Sequence, residues 1–352
     1  MRERLLAAER VKVIEWRDGV LAVLDQRLLP DQEVWLSLDS VAAVVEALGD
    51  GIVRGTAAGL AAAYGLMLGL WARATGNPHW GAAVDEDMRL LREARPDDLQ
   101  LSLALDYLLA RLGRLAPTDD PLAALESEAG ALQASDREVS LTIAEFGLGQ
   151  LRRHDDVGHA AFTHGSADAL VSGGFGTALG VLRAGWQDGR IDQVYVTEAR
   201  PGLEGVRLTA WELEQEGVPI TLCADTAVGH LMKTERIGWL VLGAERIAAN
   251  GDVSAQVGTY PLSVLAMHYG LRVMVAAPSA CIDLGLEQGD DLAIDMRAPD
   301  EVCGPLSGVD VFNPGLDVTP ADLIDVLVTE RGVIERPDAA KLAELMCRKR
   351  LH

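Results

Sequence analysis

From about residue 155 onward, short apolar runs alternate with helix-length segments, and that rhythm restricts the chain to few architectures. The runs QVYVTEA, PITLCA, WLVLGAE and RVMVAAP are separated by VRLTAWELEQEG, AVGHLMK and YPLSVLAMHYG. Strands joined through helices of roughly a dozen residues form βαβ units, which build a parallel, doubly wound sheet. WLVLG and RVMVAAP are expected as adjacent parallel strands. Ligands of such sheets bind beyond the carboxyl ends of the strands, where the strand order reverses. The polar residues that follow the runs, notably Glu198, Asp225 and Glu245, are therefore the first to consider for a site.

The first half reads differently. Residues 11–38 alternate apolar and polar positions around a turn signal at Asp18-Gly19, which predicts a small antiparallel sheet. Ser40 then caps a helical run, and further helices are expected over Leu60–Ala74, Asp85–Arg92, Asp98–Arg114 and Pro121–Leu151. At 352 residues the chain can bury two cores. The expected fold is α/β. A small β-sheet plus helical domain spans 1–154, and a Rossmann-like parallel-sheet domain carrying the active site spans 155–352. The apolar stretch Gly59–Trp71 is too short to span a membrane and is interrupted by glycines and a tyrosine, so it is expected as a buried helix. The opening MRERLLAAERVKVIEW has no apolar region before a cleavage site, so no signal peptide and a cytoplasmic location are expected.

A formal charge of −22, from 31 basic and 53 acidic residues, argues against nucleic acid as a partner. It leaves room for a small phosphorylated ligand, which a few arginines and helix N-termini can hold. Cys223, Cys281, Cys303 and Cys347 form no C-x-x-C pair and have no histidine at metal spacing. They are expected as reduced, mostly buried thiols, with no metal and no other cofactor.

Several longer strings occur in a telling order: EWRDG (Glu15–Gly19), LDQRLLP (Leu24–Pro30), Arg54-Gly55 followed by AAAYG, ARP (Ala94–Pro96), THGSADALVSGG (Thr163–Gly174), GGFGTALG (Gly173–Gly180), GAERIAANGDVSAQVGTY (Gly243–Tyr260) and FNPGLDVTPADLI. Together they resemble the methylthioribose-1-phosphate isomerase family, relatives of the regulatory subunits of translation initiation factor 2B. The resemblance implies a homodimer acting on a small sugar phosphate, converting a furanose 1-phosphate to a ketose 1-phosphate.

The departures from that family fall on the residues that perform its chemistry. Its THCN segment carries a catalytic cysteine where this chain has Gly165, and its GADR segment a catalytic aspartate where this chain has Glu245. Glycine can be neither acid, base nor nucleophile. Glu245 keeps a carboxylate for general acid–base work, displaced by one methylene, roughly 1.5 Å. Misplacement of ~1 Å can cost about a hundredfold in rate. The competing reading pairs Glu245 with Arg246; burial after a strand is expected to raise its pKa unless a cation offsets this. Ser166 and Asp168 are the candidates to fill the thiol's place, Asp168 equally as a carboxylate stabilised at a helix N-terminus. His164, Gly165 and Asp225 are expected to support the site, Asp225 alternatively as a strand-end cap.

For substrate binding the resemblance implies Arg54, Gly55, Thr56, Arg95, Glu204, Ala255 and Gln256. Glu204 stands where the family has glutamine, and Ala255-Gln256 where it has Asn-Lys. One positive charge is thus lost and one negative gained, which implies a less anionic ligand or a phosphate seated elsewhere. GGFGTALG is either a phosphate loop or a close helix contact. Two functions follow: a diverged aldose–ketose isomerase of a modified pentose phosphate, or a non-catalytic sugar-phosphate-binding regulatory protein. Without a thiol at position 165, turnover of methylthioribose 1-phosphate is expected to be absent or far below that of the family.

Overall fold

The computed structural model describes residues 2–17, 19–73, 80–96, 98–116, 119–151, 159–165, 169–306 and 308–347. After a short helix α1 (Arg2–Ala8), three strands β1 (Ile14–Arg17), β2 (Val20–Leu24) and β3 (Trp35–Leu38) form the expected antiparallel meander, Ile14 opposite Val23 and Leu21 opposite Leu38. Period-2 burial along β2 sends Leu21 and Val23 inward. The Ser40 hydroxyl accepts from Ala43 N at 3.3 Å and starts α2 (Val41–Gly49). Helices α3 (Thr56–Arg73), α4 (Trp80–Ala94), α5 (Leu99–Leu112) and α6 (Pro121–Gln150) follow.

Helix α3 is buried on every face from Ala57 to Leu70, as a helix apolar all round must be. Its glycines let neighbours approach: a β-carbon on Gly69 would lie 2.3 Å from Asp87 in α4, and one on Gly59 would lie 2.8 Å from Ala104 in α5. Asp87, itself buried, is held by Arg73 at 2.7 Å. No described helix is long and apolar enough to cross a membrane.

The second half alternates β4 (Ala160–Thr163), α7 (Ala178–Gln187), β5 (Gln193–Thr197), α8 (Ala210–Gln215), β6 (Ile220–Cys223), α9 (Val228–Thr234) and β7 (Ile237–Leu242). A hairpin of β8 (Arg246–Ala248) and β9 (Val253–Gln256) precedes α10 (Thr259–Tyr269), β10 (Arg272–Ala276) and β11 (Ile282–Asp283). Then come α11 (Asp300–Cys303), β12 (Leu316–Thr319), β13 (Val326–Thr329), β14 (Gly332–Glu335) and α12 (Ala339–Cys347). The main sheet runs β14-β13-β10-β7-β4-β5-β6, parallel throughout except for β14. As expected, β7 and β10 are parallel neighbours, Leu240 opposite Val273. The strand order reverses between β4 and β7, both buried along their full length. Burying each large apolar side chain there is worth about 1.5–3 kcal/mol. A smaller sheet, β11-β8-β9-β12, was not foreseen; its hairpin turns at Asn250-Gly251, with Gly251 at φ +97°.

Contacts divide the described chain differently from the single cut expected after residue 154. One unit holds the described residues of Met1–Arg10, Val139–Asp168 and Thr177–His352; the other those of Val11–Glu138 and Ala169–Gly176. Helix α1 packs on α7, and Arg2 reaches Glu145 at 3.0 Å. The boundary therefore passes through α6. The cysteines also depart from expectation: only Cys281 is buried, Cys223 and Cys303 are half-buried and Cys347 is exposed.

Arg183 of α7 is 2% exposed and faces both Glu212 and Glu216. A single guanidinium thus lies against two carboxylates that are 0% and 3% exposed. Burial pushes Glu216 up to about 7. The folded chain therefore binds a proton more tightly than the unfolded one, and stability falls as pH rises from about 4.5 to about 7. Glu216→Gln should stabilise the protein at pH 8 by about 1–3 kcal/mol in urea denaturation, with the gain vanishing near pH 4. Arg183→Met should instead cost about 3–5 kcal/mol at pH 8, by removing the cation that faces both carboxylates.

Candidate active site

The reversal between β4 and β7 sets His164-Gly165 and Ala244-Glu245 at the carboxyl ends of neighbouring strands. His164 is buried. Its Nδ1 lies 2.6 Å from Thr197 Oγ1 at the end of β5, and its Nε2 2.9 Å from the Val257 carbonyl oxygen. A carbonyl only accepts, so Nε2 carries the proton and donates, while Nδ1 accepts from the Thr197 hydroxyl. Burial lowers the His164 pKa, which keeps the ring neutral. The residue supports the site by holding three segments together.

Gly258, at the start of α10, has φ +109°, and a β-carbon there would lie 2.7 Å from His164 Nε2. Asp317 of β12 accepts from the N–H groups of Gly258 at 2.7 Å and Tyr260 at 3.1 Å, capping α10; burial pushes its carboxyl up to about 6. Gly165 also has φ +109°, with its carbonyl accepting from the Thr209 hydroxyl at 2.8 Å. Among the described residues, a β-carbon at Gly165 would meet within 4 Å only Gln256, whose Oε1 would be 3.6 Å away.

Glu204 is 5% exposed. It accepts from Gln256 Nε2 at 3.1 Å and faces Arg297 Nη1 at 3.5 Å. Arg297 is held in turn by Glu301, through Nε at 2.7 Å and Nη2 at 3.0 Å. The cation counted as lost at position 256 thus has a substitute 93 residues from Glu204 in sequence. Sequence reasoning missed Arg297 because no local motif marks it. Asp225 accepts from the N–H groups of Ala199 at 3.0 Å and Arg200 at 2.7 Å, which fits the strand-end reading. Ala199 has φ +57°, an unfavourable conformation for alanine that these bonds help to hold.

Glu245 follows β7 and is exposed, contrary to the partial burial expected of it. Its N–H donates to Ser254 O at 2.9 Å, and the main chain turns outward there into the β8–β9 hairpin. Arg246 Nη1 lies 3.9 Å from Asp283. Beneath it the Cys281 thiol is pushed up to about 12 by burial, with the Glu245 and Glu330 carboxylates adding to the effect. That thiol is protonated at neutral pH and is no nucleophile.

Ala255 does not line the site as expected. Strand alternation turns its methyl, like Val253, into the core with Ile247 and Val275, while Gln256 faces the other way. Ser166 and Asp168 lie outside the described residues. In the helical unit, Arg95 Nη1 reaches Val53 O at 3.5 Å, bringing ARP to the loop that carries Arg54 and Gly55. Gly55 has φ +63° and its α-carbon abuts Val171; the Thr56 hydroxyl donates to Val171 O at 3.3 Å. In the Gly-rich string Gly173 packs against Leu60, and its N–H donates to half-buried Asp136 at 2.7 Å, so that N–H is not free for phosphate. A 670 Å³ cavity lined by Arg272, Asp325, Glu335, Arg336 and Lys341 opens at the amino ends of β10 and β13. That edge is opposite the strand ends that carry the polar cluster, and Lys341 Nζ is already bonded to the Glu335 and Arg336 carbonyls.

Gly165→Ala and Gly258→Ala incur the same backbone penalty but differ in space. Gly258→Ala should be the more destabilising by about 1–3 kcal/mol in urea denaturation, because its methyl collides with a ring that is bonded on both sides.

The initiation factor 2 subunit family matches over residues 53–336. Methylthioribose-1-phosphate isomerase of Pseudomonas entomophila (strain L48) is 55% identical, and that of Azotobacter vinelandii 54%, each over the whole of both chains. The crystal structure of 5-methylthioribose 1-phosphate isomerase from Pyrococcus horikoshii OT3 superposes with a TM-score of 0.91 at 30% identity, covering 96% of this chain and 97% of the other. Translation initiation factor eIF-2B, subunit delta, from A. fulgidus gives 0.84 at 30% identity, covering 95% and 100%. With its parallel sheet, its strand-end cluster and full-length identity above one half, the chain belongs to the methylthioribose-1-phosphate isomerase family.

Proposed function

We propose that the protein is an aldose–ketose isomerase acting on a pentose 1-phosphate related to methylthioribose 1-phosphate. The observation that carries this is full-length identity of 53–56% to proteins bearing that isomerase's name. Phosphate on the anomeric oxygen blocks simple ring opening to the aldehyde. The reaction therefore needs proton donation to the ring oxygen and transfer of hydrogen from C2 to C1. Neutral His164, with both ring nitrogens bonded, is committed to holding the strand ends. Glu245, exposed at the end of β7, is assigned the acid–base role. Arg54, Gly55, Thr56 and Arg95 are assigned to the phosphate. Ser166 and Asp168, one and three residues after Gly165, are the groups proposed to act where the family uses a thiol.

Purified protein with methylthioribose 1-phosphate, followed by ketose formation, tests the reading. Turnover well below the ordinary enzyme range of about 1–10³ s⁻¹ is expected with that compound, and faster turnover with another pentose 1-phosphate. Glu245→Gln should lower kcat by about 10²–10⁴ while leaving ligand affinity and folding intact. Binding without turnover of any pentose 1-phosphate would instead favour a sugar-phosphate sensor. The protein is also proposed to be a cytoplasmic homodimer. Light scattering at micromolar concentration should return twice the chain mass of 37.6 kDa; a monomer would overturn this.

A further inference from the structure

Gln256 and Glu204 meet in a way that decides which end of the amide faces the site. Glu204 lies beside the Arg297 guanidinium, and its carboxylate oxygens accept hydrogen bonds there. Only the NH₂ end of Gln256 can satisfy such a partner, and Nε2 sits 3.1 Å from Glu204 Oε2. The amide is thereby locked, with its carbonyl oxygen turned toward Gly165. Gly202 makes room for the arrangement: a β-carbon on it would lie 2.2 Å from Glu204 Oε1. Gln256 Oε1 has no hydrogen-bond partner among the described residues, and it borders the space that the missing side chain at Gly165 leaves open. A buried carboxylate stands behind it.

We infer that Gln256 Oε1, oriented by Glu204, is a hydrogen-bond acceptor for a ligand hydroxyl in the space above Gly165. An acceptor backed by a carboxylate repels phosphate oxygens and favours a donor. This corner of the site reads the sugar's hydroxyl groups, and the phosphate is bound elsewhere. The inference deepens the isomerase reading but does not need turnover, because it concerns binding alone. Glu204 acts through Gln256 and is a positioning residue.

The probes are ribose 1-phosphate and its 2-deoxy, 3-deoxy and 5-deoxy analogues, titrated calorimetrically into wild type, Gln256→Met, Gln256→Leu and Glu204→Gln. At least one deoxy compound should bind wild type about tenfold more weakly than ribose 1-phosphate. That gap should close in both Gln256 variants, either of which suffices if the other does not fold. It should narrow in Glu204→Gln, where an amide at 204 no longer dictates which end of Gln256 it meets; a purely structural role for Glu204 would weaken all four ligands equally. Equal binding of all four compounds by wild type overturns the inference, as does a gap that survives in the Gln256 variants. Failure of every probe to bind at millimolar concentration overturns it too. Probes that bind with this discrimination but never form ketose would sink the isomerase reading and leave this one standing.

Discussion

The two hydrogen bonds of the His164 ring hold the site together. They join the end of β4 to the end of β5 through Thr197, and to the turn into α10 through Val257. Gly258 must be glycine for the ring to fit, and Asp317 secures the same turn from β12. A histidine bonded at both nitrogens and kept neutral by burial fixes geometry at the cost of its own proton chemistry. At these strand ends Glu245, unlike the ring, is exposed to water.

The charge changes around the site form one rearrangement. Taken position by position, a carboxylate at 204 and an amide at 256 look like two losses for an anion site. In the fold they bond to each other, and Arg297 sits against the carboxylate. Arg297 is itself clamped by Glu301, which Asn313 also contacts at 3.2 Å. Side chains tied into such a network have little freedom to swing toward a ligand, so the site presents a fixed polar surface. Beside Gly165 it presents the acceptor oxygen of Gln256.

Much of the architecture was legible because its signals are local. The β1–β2 hairpin around Gly19, the Ser40 cap and the β7–β10 neighbours all follow from turn chemistry, capping and apolar runs. Strand β4, which lies beside the central β7, was missed because four small or apolar residues carry no period of their own. The β8–β9 hairpin carries a strong local turn signal, Asn250-Gly251, that the reading of the parallel pattern did not use. The Gly-rich string looked like a phosphate loop, yet its first N–H belongs to Asp136.

The sequence by itself determined the class of fold, the alternation of strands and helices in the second half, the family, and the positions where catalytic residues were to be sought. These depend on periodicity and on short strings, which act over a few residues. Only the tertiary structure decided that Ala255 faces the core while Gln256 turns to Glu204, that Glu245 is exposed, that the division between units falls within α6, and that Arg297 answers the charge of Glu204. Each is a matter of which distant segment lies within a few ångströms. Electrostatic and hydrogen-bonding energies act over that distance in space and are indifferent to separation along the chain.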